Sequence, residues 1–171
     1  MDILKQNFFE LFNIEISVDI NKSDLDEKVK ILQNNFHPDK FTNGSDFEKR
    51  LALQISSYIN DGYKVLGDIV LRVEYILKIN NFNKDESTTI NDIDFLQEQI
   101  MYNELIESLK ENLEENVIDD NLSGIKLKLK NTINNIKLSY QDREFEDMWQ
   151  NLSKLRFYVN NINELIKMRN K

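Results

Sequence analysis

The amino-acid sequence predicts an all-α protein, with an antiparallel helical hairpin in its N-terminal half and a three-helix bundle in its C-terminal half. Apolar residues recur at intervals of three and four through most of the chain, which is the spacing of one face of an α-helix. The 171 residues include only four glycines and one proline, so long helices can continue without interruption. The single proline lies in the tripeptide His37-Pro38-Asp39, which also holds the single histidine.

Four helices are predicted before residue 80. Ser23 is a suitable N-cap for the second helix, and Ser45 or Asp46 for the third. The second helix should end between Asn35 and Pro38, because proline disfavours helix for the residue before it. The apolar stripes of the four helices are, in order, Phe8, Leu11 and Phe12; Leu25, Val29, Leu32 and Phe36; Phe47, Leu51, Ile55, Tyr58, Ile59 and Leu66; and Val70, Val73, Tyr75, Ile76 and Leu77.

The C-terminal half shows three longer helical patterns, at about 93–116, 121–140 and 142–169. Between residues 80 and 92 the pattern gives way to Asn, Lys, Asp, Glu, Ser and Thr, which favour turns and helix caps. We therefore predict an N-terminal domain at 1–79, a linker at 80–92 and an antiparallel bundle at 93–171.

Composition excludes several classes of function. The net charge of −8 argues against broad binding to nucleic acids or anionic membranes, which requires a basic surface. With no cysteine and one histidine, the chain has no disulfide framework, thiol nucleophile or thiolate metal site. No basic leader precedes an apolar run, and no stretch approaches the roughly 18 apolar residues of a membrane span. We expect a cytoplasmic protein, most simply from a bacterium.

The residues around the tripeptide resemble a J-domain. A helix ending in Gln33-Asn34-Asn35-Phe36 is followed by His37-Pro38-Asp39-Lys40-Phe41 and then by a long helix. Other segments resemble the HscB family in particular, the J-type co-chaperones of iron–sulfur cluster assembly, and the resemblance covers nearly the whole chain. These segments are Ile59-Asn60, Tyr63, Leu66, Arg72 to Leu77, Phe95 to Gln99, and Lys154 to Phe157.

This resemblance implies a non-enzymatic protein with two partners. The residues themselves favour neither a metal site, since no second His or Cys accompanies His37, nor a catalytic His–Asp pair, since the pattern places no nucleophile beside it; we expect no catalytic residue and no cofactor. The J-domain would bind an ATPase chaperone of the DnaK or HscA type and stimulate ATP hydrolysis, with Asp39 meeting an arginine of the ATPase. The bundle would bind the cluster scaffold IscU. The residues implied for chaperone binding are His37, Pro38, Asp39, Lys40, Lys28 and Lys30. The chain departs from the common pattern at Asn34 and Asn35, where J-domains often carry basic residues, so its positive patch is thinner.

The scaffold-binding face is predicted in two ways. At about 100° per residue, Leu96 and Ile100 fall opposite the stripe that contains Phe95 and Tyr102, and Phe157 likewise lies away from its stripe neighbours. Apolar side chains clustered on polar helix faces often mark an interface. The family's scaffold site maps onto the same region. Leu96, Ile100, Glu104 and Phe157 match it in character, whereas Gln97 and Met101 do not.

Alternatives to these assignments remain. His37 and Asp39 could simply form a turn by bonding to nearby backbone, and Leu96, Ile100 and Phe157 could pack against the protein itself. A general J-domain co-chaperone for other clients would leave this cluster of three apolar residues unexplained. A metal-dependent hydrolase is rejected, because the only histidine lies outside the bundle. We expect a monomer that binds neither nucleic acid nor membrane.

Overall fold

The computed structural model describes residues 3–83 and 92–170. Within these residues it contains seven α-helices and no β-strand, which confirms the all-α prediction. The chain divides after Asn81 into two compact units. The helices are α1 (Phe8–Leu11), α2 (Lys22–Phe36), α3 (Asp46–Gly67), α4 (Ile69–Ile79), α5 (Ile93–Glu111), α6 (Glu115–Gln141) and α7 (Phe145–Arg169). The predicted linker at 80–92 lies mostly outside the described residues, since 84–91 fall in the gap.

Helix caps explain where the elements of the N-terminal unit begin and end. Asn21, and not the predicted Ser23, caps α2 by accepting the amide N–H of Asp24 on its Oδ1. Ser45 and Glu48 form a reciprocal capping box at the start of α3. Asp68 accepts the amides of Val70 and Leu71, which starts α4 immediately after α3 ends. Helix α2 ends at Phe36, within the predicted range.

The core of the N-terminal unit lies where α1, α2, α3 and α4 meet. Its fully buried side chains include Phe9, Phe12, Leu25, Ile59, Leu66 and Ile76. Gly62 of α3 allows a close approach here, because a Cβ atom at this position would lie 2.9 Å from ring atoms of both Phe8 and Phe12. Phe47, predicted on the apolar stripe of the third helix, is instead 66% exposed in the first turn of α3. The stripe becomes buried only further along the helix.

The C-terminal unit is the predicted three-helix arrangement of α5, α6 and α7. Its buried cluster combines Phe95, Tyr102, Ile106 and Leu109 of α5 with residues of both other helices. The contributions of α6 and α7 to this cluster are Ile118, Leu122, Ile125, Tyr158, Ile162, Leu165 and Met168. Leu113, which continues the pattern of α5, lies beyond the end of the helix and is exposed. Helix α5 therefore ends about one turn earlier than the pattern predicts.

Candidate functional sites

The tripeptide His37-Pro38-Asp39 forms the connection between α2 and α3. His37 ends α2 in an extended conformation, and Pro38 begins a short 3-10 turn, Pro38–Phe41. The imidazole Nδ1 of His37 accepts the amide N–H of Asp39 at 3.3 Å, and the His37 carbonyl accepts the amide of Lys40 at 3.0 Å. The hydroxyl of Thr42 donates to the Asp39 carbonyl at 3.2 Å. His37 therefore forms hydrogen bonds with nearby backbone, as expected if its role is to shape the turn.

Asp39 presents its carboxylate outwards from this turn. The Asp39 side chain is 86% exposed, and its Oδ2 lies 3.6 Å from Nδ1 of His37. A groove of about 310 Å³ lies beside it, lined by Pro38, Asp39, Thr42, Lys49 and Leu53. The backbone of the turn is thus fixed by its own hydrogen bonds, while the carboxylate is directed to solvent. This arrangement suits a carboxylate that pairs with a cation on another molecule.

The three lysines predicted at this site differ in their surroundings. Nζ of Lys28 lies 2.9 Å from Oδ2 of Asp24 and donates to the carbonyl of Asn13 at 2.9 Å. Its charge is largely matched within the N-terminal unit, so Lys28 is a weaker candidate for contact with a partner. Lys30 and Lys40 are exposed on α2 and in the turn, respectively. Lys40 follows Asp39 directly in the turn, and Lys49 lines the groove beside it, so both place positive charge near Asp39.

Helix α5 carries an exposed face with an apolar centre. Leu96 is 44% exposed, Ile100 58% and Met101 68%, and Gln97 and Glu104 are also exposed. These five residues lie on the side of α5 away from the buried Phe95 and Tyr102. Gln97 and Met101 also line a groove of about 540 Å³ between α5 and α6. We call the five residues, together with Phe157, the α5 face.

Phe157 has a more buried position than its helical pattern predicts. Its ring contacts the rings of Phe95 at 5.4 Å, Tyr102 at 5.7 Å and Tyr158 at 5.6 Å between centroids, all edge to face. Phe95 immediately precedes Leu96, and Tyr102 follows Met101. Phe157 therefore lies at the level of the turns of α5 that carry Leu96 and Ile100, and it packs against the buried cluster.

Two polar links connect α5 to its neighbours, and sequence patterns did not indicate them. Lys154 of α7 lies 2.6 Å from Asp92, the cap of α5, and this ion pair together with the amide N–H of Phe95 lowers the pKa of the Asp92 carboxyl. The Glu98 carboxylate forms an ion pair with Lys128 of α6 at 2.6 Å and accepts a hydrogen bond from the hydroxyl of Tyr158 at 2.9 Å. Burial, reinforced by the bond to Glu98, raises the pKa of the Tyr158 hydroxyl.

Across residues 3–83 and 92–170, acidic and histidine side chains do not gather in groups of three or more that could hold a metal ion. Over the same ranges, none of the helices is both long enough and apolar enough to cross a membrane.

Comparisons with known proteins find similar sequences and a family match in the C-terminal unit. Residues 91–167 match the family described as the HSCB C-terminal oligomerisation domain. A co-chaperone protein HscB homolog of Shewanella woodyi is 40% identical over 106 residues, which is 61% of this chain and 61% of that protein. The aligned region thus spans less than two thirds of this relative. The corresponding homolog of Shewanella oneidensis is 33% identical over 128 residues, covering 72% of this chain and 74% of that protein.

A solved structure extends the likeness to nearly the whole chain. The chaperone HscB from Vibrio cholerae superimposes with a TM-score of 0.87 at 26% identity, covering 96% of this chain and 98% of the other. At this coverage the likeness extends over both units of the chain.

Proposed function

The chain belongs to the HscB family of co-chaperones, and on this basis we propose that it delivers an iron–sulfur scaffold protein of the IscU type to an ATPase chaperone. The chaperone would be of the DnaK or HscA type, and the chain would stimulate its ATP hydrolysis. The relatives reported above are bacterial co-chaperones, and we expect this chain to act in the bacterial cytoplasm without catalytic chemistry of its own.

The observation that carries the proposal is the location of two exposed sites in two separate units. Asp39 belongs to the N-terminal unit, whereas Leu96 and Ile100 belong to the C-terminal unit. A protein that binds one partner through each unit raises the effective concentration of the first partner near the second without any new contact between them. This is the physical advantage of a delivery factor over two independent binding proteins.

The N-terminal site is suited to an electrostatic contact. The exposed carboxylate of Asp39 would pair with an arginine of the ATPase, as the family resemblance implies. Lys30 and Lys40 would pair with acidic groups of the same partner. Charges at the rim of an interface mainly steer association and fix orientation, so binding should weaken as salt is added. His37 and Pro38 would act by setting the conformation of the turn that displays Asp39.

The C-terminal site is suited to a small apolar contact with a polar rim. Leu96, Ile100 and Met101 supply exposed apolar surface on α5, and Phe157 of α7 is partly exposed. Gln97 and Glu104 are the exposed polar residues beside them on α5. An apolar centre with polar residues around it is the usual anatomy of a protein–protein interface. We propose that the scaffold protein binds here, with Leu96, Ile100 and Phe157 as its main anchors.

We expect the chain to be monomeric in the absence of partners. The exposed apolar centre of the α5 face consists of a few side chains, which is small for the interface of a stable dimer. Light scattering of the purified protein should give the mass of one chain. A mass of two or more chains would contradict this expectation.

The proposal is tested by an ATPase assay with the chaperone and scaffold of the same genome. The chain alone should raise the chaperone's ATP hydrolysis rate, and the chain together with the scaffold should raise it further than the two separate effects combined. Stimulation without any effect of the scaffold would favour a general J-domain co-chaperone for other clients. No stimulation by the chain would contradict the proposed function.

A further inference from the structure

Helix α5 is joined to α6 differently from the way it is joined to α7. The ring of Phe157 on α7 packs directly on Phe95 and Tyr102 of α5. Between α5 and α6, by contrast, lies the groove of about 540 Å³, which Glu98 and Lys128 both line. The ion pair between these two residues spans the groove with a distance of 2.6 Å. A direct polar contact thus crosses a part of the interface that apolar packing does not fill.

Glu98 connects α5 to both of the other helices. Its Oε1 forms the ion pair with Nζ of Lys128 on α6. Its Oε2 accepts a hydrogen bond from the hydroxyl of Tyr158 on α7 at 2.9 Å. The Glu98 side chain is 19% exposed, and Nζ of Lys128 also lies 5.8 Å from the centroid of the Tyr102 ring. Both carboxylate oxygens of Glu98 are therefore occupied by groups on different helices, which restricts rotation of α5 about its own axis.

The arrangement of the α5 face depends on the rotational orientation of α5, because its apolar anchor residues belong to two helices. Leu96 and Ile100 are part of α5, whereas Phe157 is part of α7. Glu98 stands between Leu96 and Ile100 in the sequence, and Tyr158 follows Phe157 directly. Because Leu96 and Ile100 project from α5 and Phe157 projects from α7, a rotation of α5 about its axis would move Leu96 and Ile100 relative to Phe157.

We propose that Glu98, Lys128 and Tyr158 are positioning residues, which hold α5 in the orientation where Leu96, Ile100 and Phe157 form one docking face. The inference rests on the proposed function, since it concerns the face that would bind the scaffold protein. Lys128 is 48% exposed, so the ion pair should add little to the free energy of folding. Its main effect is on the geometry of the face, and preorganisation of this kind strengthens binding.

The test is titration calorimetry of the full-length chain with the scaffold protein of the same genome. Lys128→Met removes the charge but keeps an unbranched side chain, and we expect it to weaken scaffold binding by roughly five- to tenfold. Lys128→Arg keeps the charge and should bind within about twofold of the unsubstituted chain. Lys126→Met is the matched control, because it removes an exposed lysine of the same helix and should leave the affinity unchanged.

A double-mutant cycle separates positioning from direct contact. If Lys128 acts through Glu98, then Lys128→Met should weaken binding in the unsubstituted chain but cause no further loss in the Glu98→Gln variant. An equal loss in both backgrounds would overturn the inference, because Lys128 would then act independently of Glu98. Tyr158→Phe, which removes the hydroxyl from Glu98, should weaken binding in the same direction.

The remaining outcomes distinguish this inference from the proposed function. If the unsubstituted chain binds the scaffold and the Lys128→Met variant binds it equally well, the inference is wrong and the proposed function stands. If the unsubstituted chain does not bind the scaffold, there is no docking face to position, and both are wrong. Urea unfolding of the Lys128→Met variant should give the same midpoint as the unsubstituted chain, because Lys128 is 48% exposed. A clearly lower midpoint would mean that the ion pair stabilises the fold and does not merely position the face, and it would overturn the inference.

Discussion

The ring of Phe157 on α7 packs edge to face against the ring of Phe95 on α5, with centroids 5.4 Å apart and ring planes at 88°. Phe95 is buried, whereas Phe157 is only partly buried. One side of Phe157 therefore contributes to the core of the C-terminal unit, and the proposed interface uses the other. Phe157 thus differs from Leu96 and Ile100, whose side chains are exposed on α5 and contribute little to the core.

Replacing Phe157 by Ala should therefore affect both stability and binding. We expect the free energy of unfolding to fall by about 2 kcal/mol, because three aromatic contacts are lost at a partly buried position. Leu96→Ala and Ile100→Ala, at exposed positions, should each change it by less than about 0.5 kcal/mol. Urea unfolding followed by circular dichroism measures these differences. Equal losses for all three variants would contradict the assigned burial.

Replacing Asp39 by Asn should abolish the stimulation of ATP hydrolysis without unfolding the protein. The carboxylate is exposed and the turn is held by other groups, so the fold should be retained while the stimulated rate falls by about tenfold or more. Scaffold binding should be unchanged. Asp61→Asn removes the charge of another exposed aspartate, on α3, and serves as the control. Loss of helicity in the Asp39 variant would show that the carboxylate is structural.

Two glycines in helices should respond in opposite ways to substitution by Ala. Gly62→Ala should destabilise the protein by about 1–3 kcal/mol, because the new Cβ would lie 2.9 Å from the rings of Phe8 and Phe12. Gly124→Ala, where nothing lies within 4 Å, should stabilise it by up to about 1 kcal/mol through helix propensity. Thermal unfolding measures both. If the Gly62 variant is as stable as the unsubstituted chain, the described packing of α1 on α3 is wrong.

The ion pair of Asp92 with Lys154 should make stability depend on pH in the acid range. The pKa of Asp92 is lowered by Lys154 and by the amide of Phe95, so its contribution is present above the pKa of the unfolded chain. The contribution is lost as the pH falls below the pKa of the unfolded chain and through the lower pKa of the folded chain. Asp92→Asn keeps a capping side chain but removes the charge, and it should lose less stability than the unsubstituted chain between pH 7 and pH 3. Denaturant unfolding at both pH values measures the loss in each protein. If the Asp92→Asn variant and the unsubstituted chain lose the same free energy of unfolding between pH 7 and pH 3, the ion pair does not make this contribution.

Sequence patterns predict the helices and their order because each helix buries one continuous stripe. They predict the turn at His37 to Asp39 as well, since proline acts locally on the residue before it. Helix ends are less predictable. Ser23 and Asn21 are both good caps, and only the packed structure shows that the Asn21 side chain accepts the amide of Asp24. Phe47 lies on the stripe of α3, but the first turn of that helix leaves it exposed.

The exposed residues of the candidate site could also be predicted from the sequence, whereas the contacts that hold α5 in place could not. Leu96 and Ile100 stand out because they break the polar side of a regular helix, and the structure shows both exposed. The contact of Glu98 with Lys128 joins residues that are 30 positions apart, and no periodicity marks such a pair. It depends on how α5 and α6 pack, which is a property of the assembled unit. The half-buried position of Phe157 has the same origin.

The most direct test of the central claim is titration calorimetry of this chain with the IscU-type scaffold of its own genome, alongside the variant in which Leu96, Ile100 and Phe157 are all replaced by Ala. The chain should show saturable binding that the triple variant loses, because anchors of this kind each contribute about 1–2 kcal/mol or more to binding. Circular dichroism must show that the variant remains folded. Binding of equal strength by the folded variant would contradict the assignment of the α5 face.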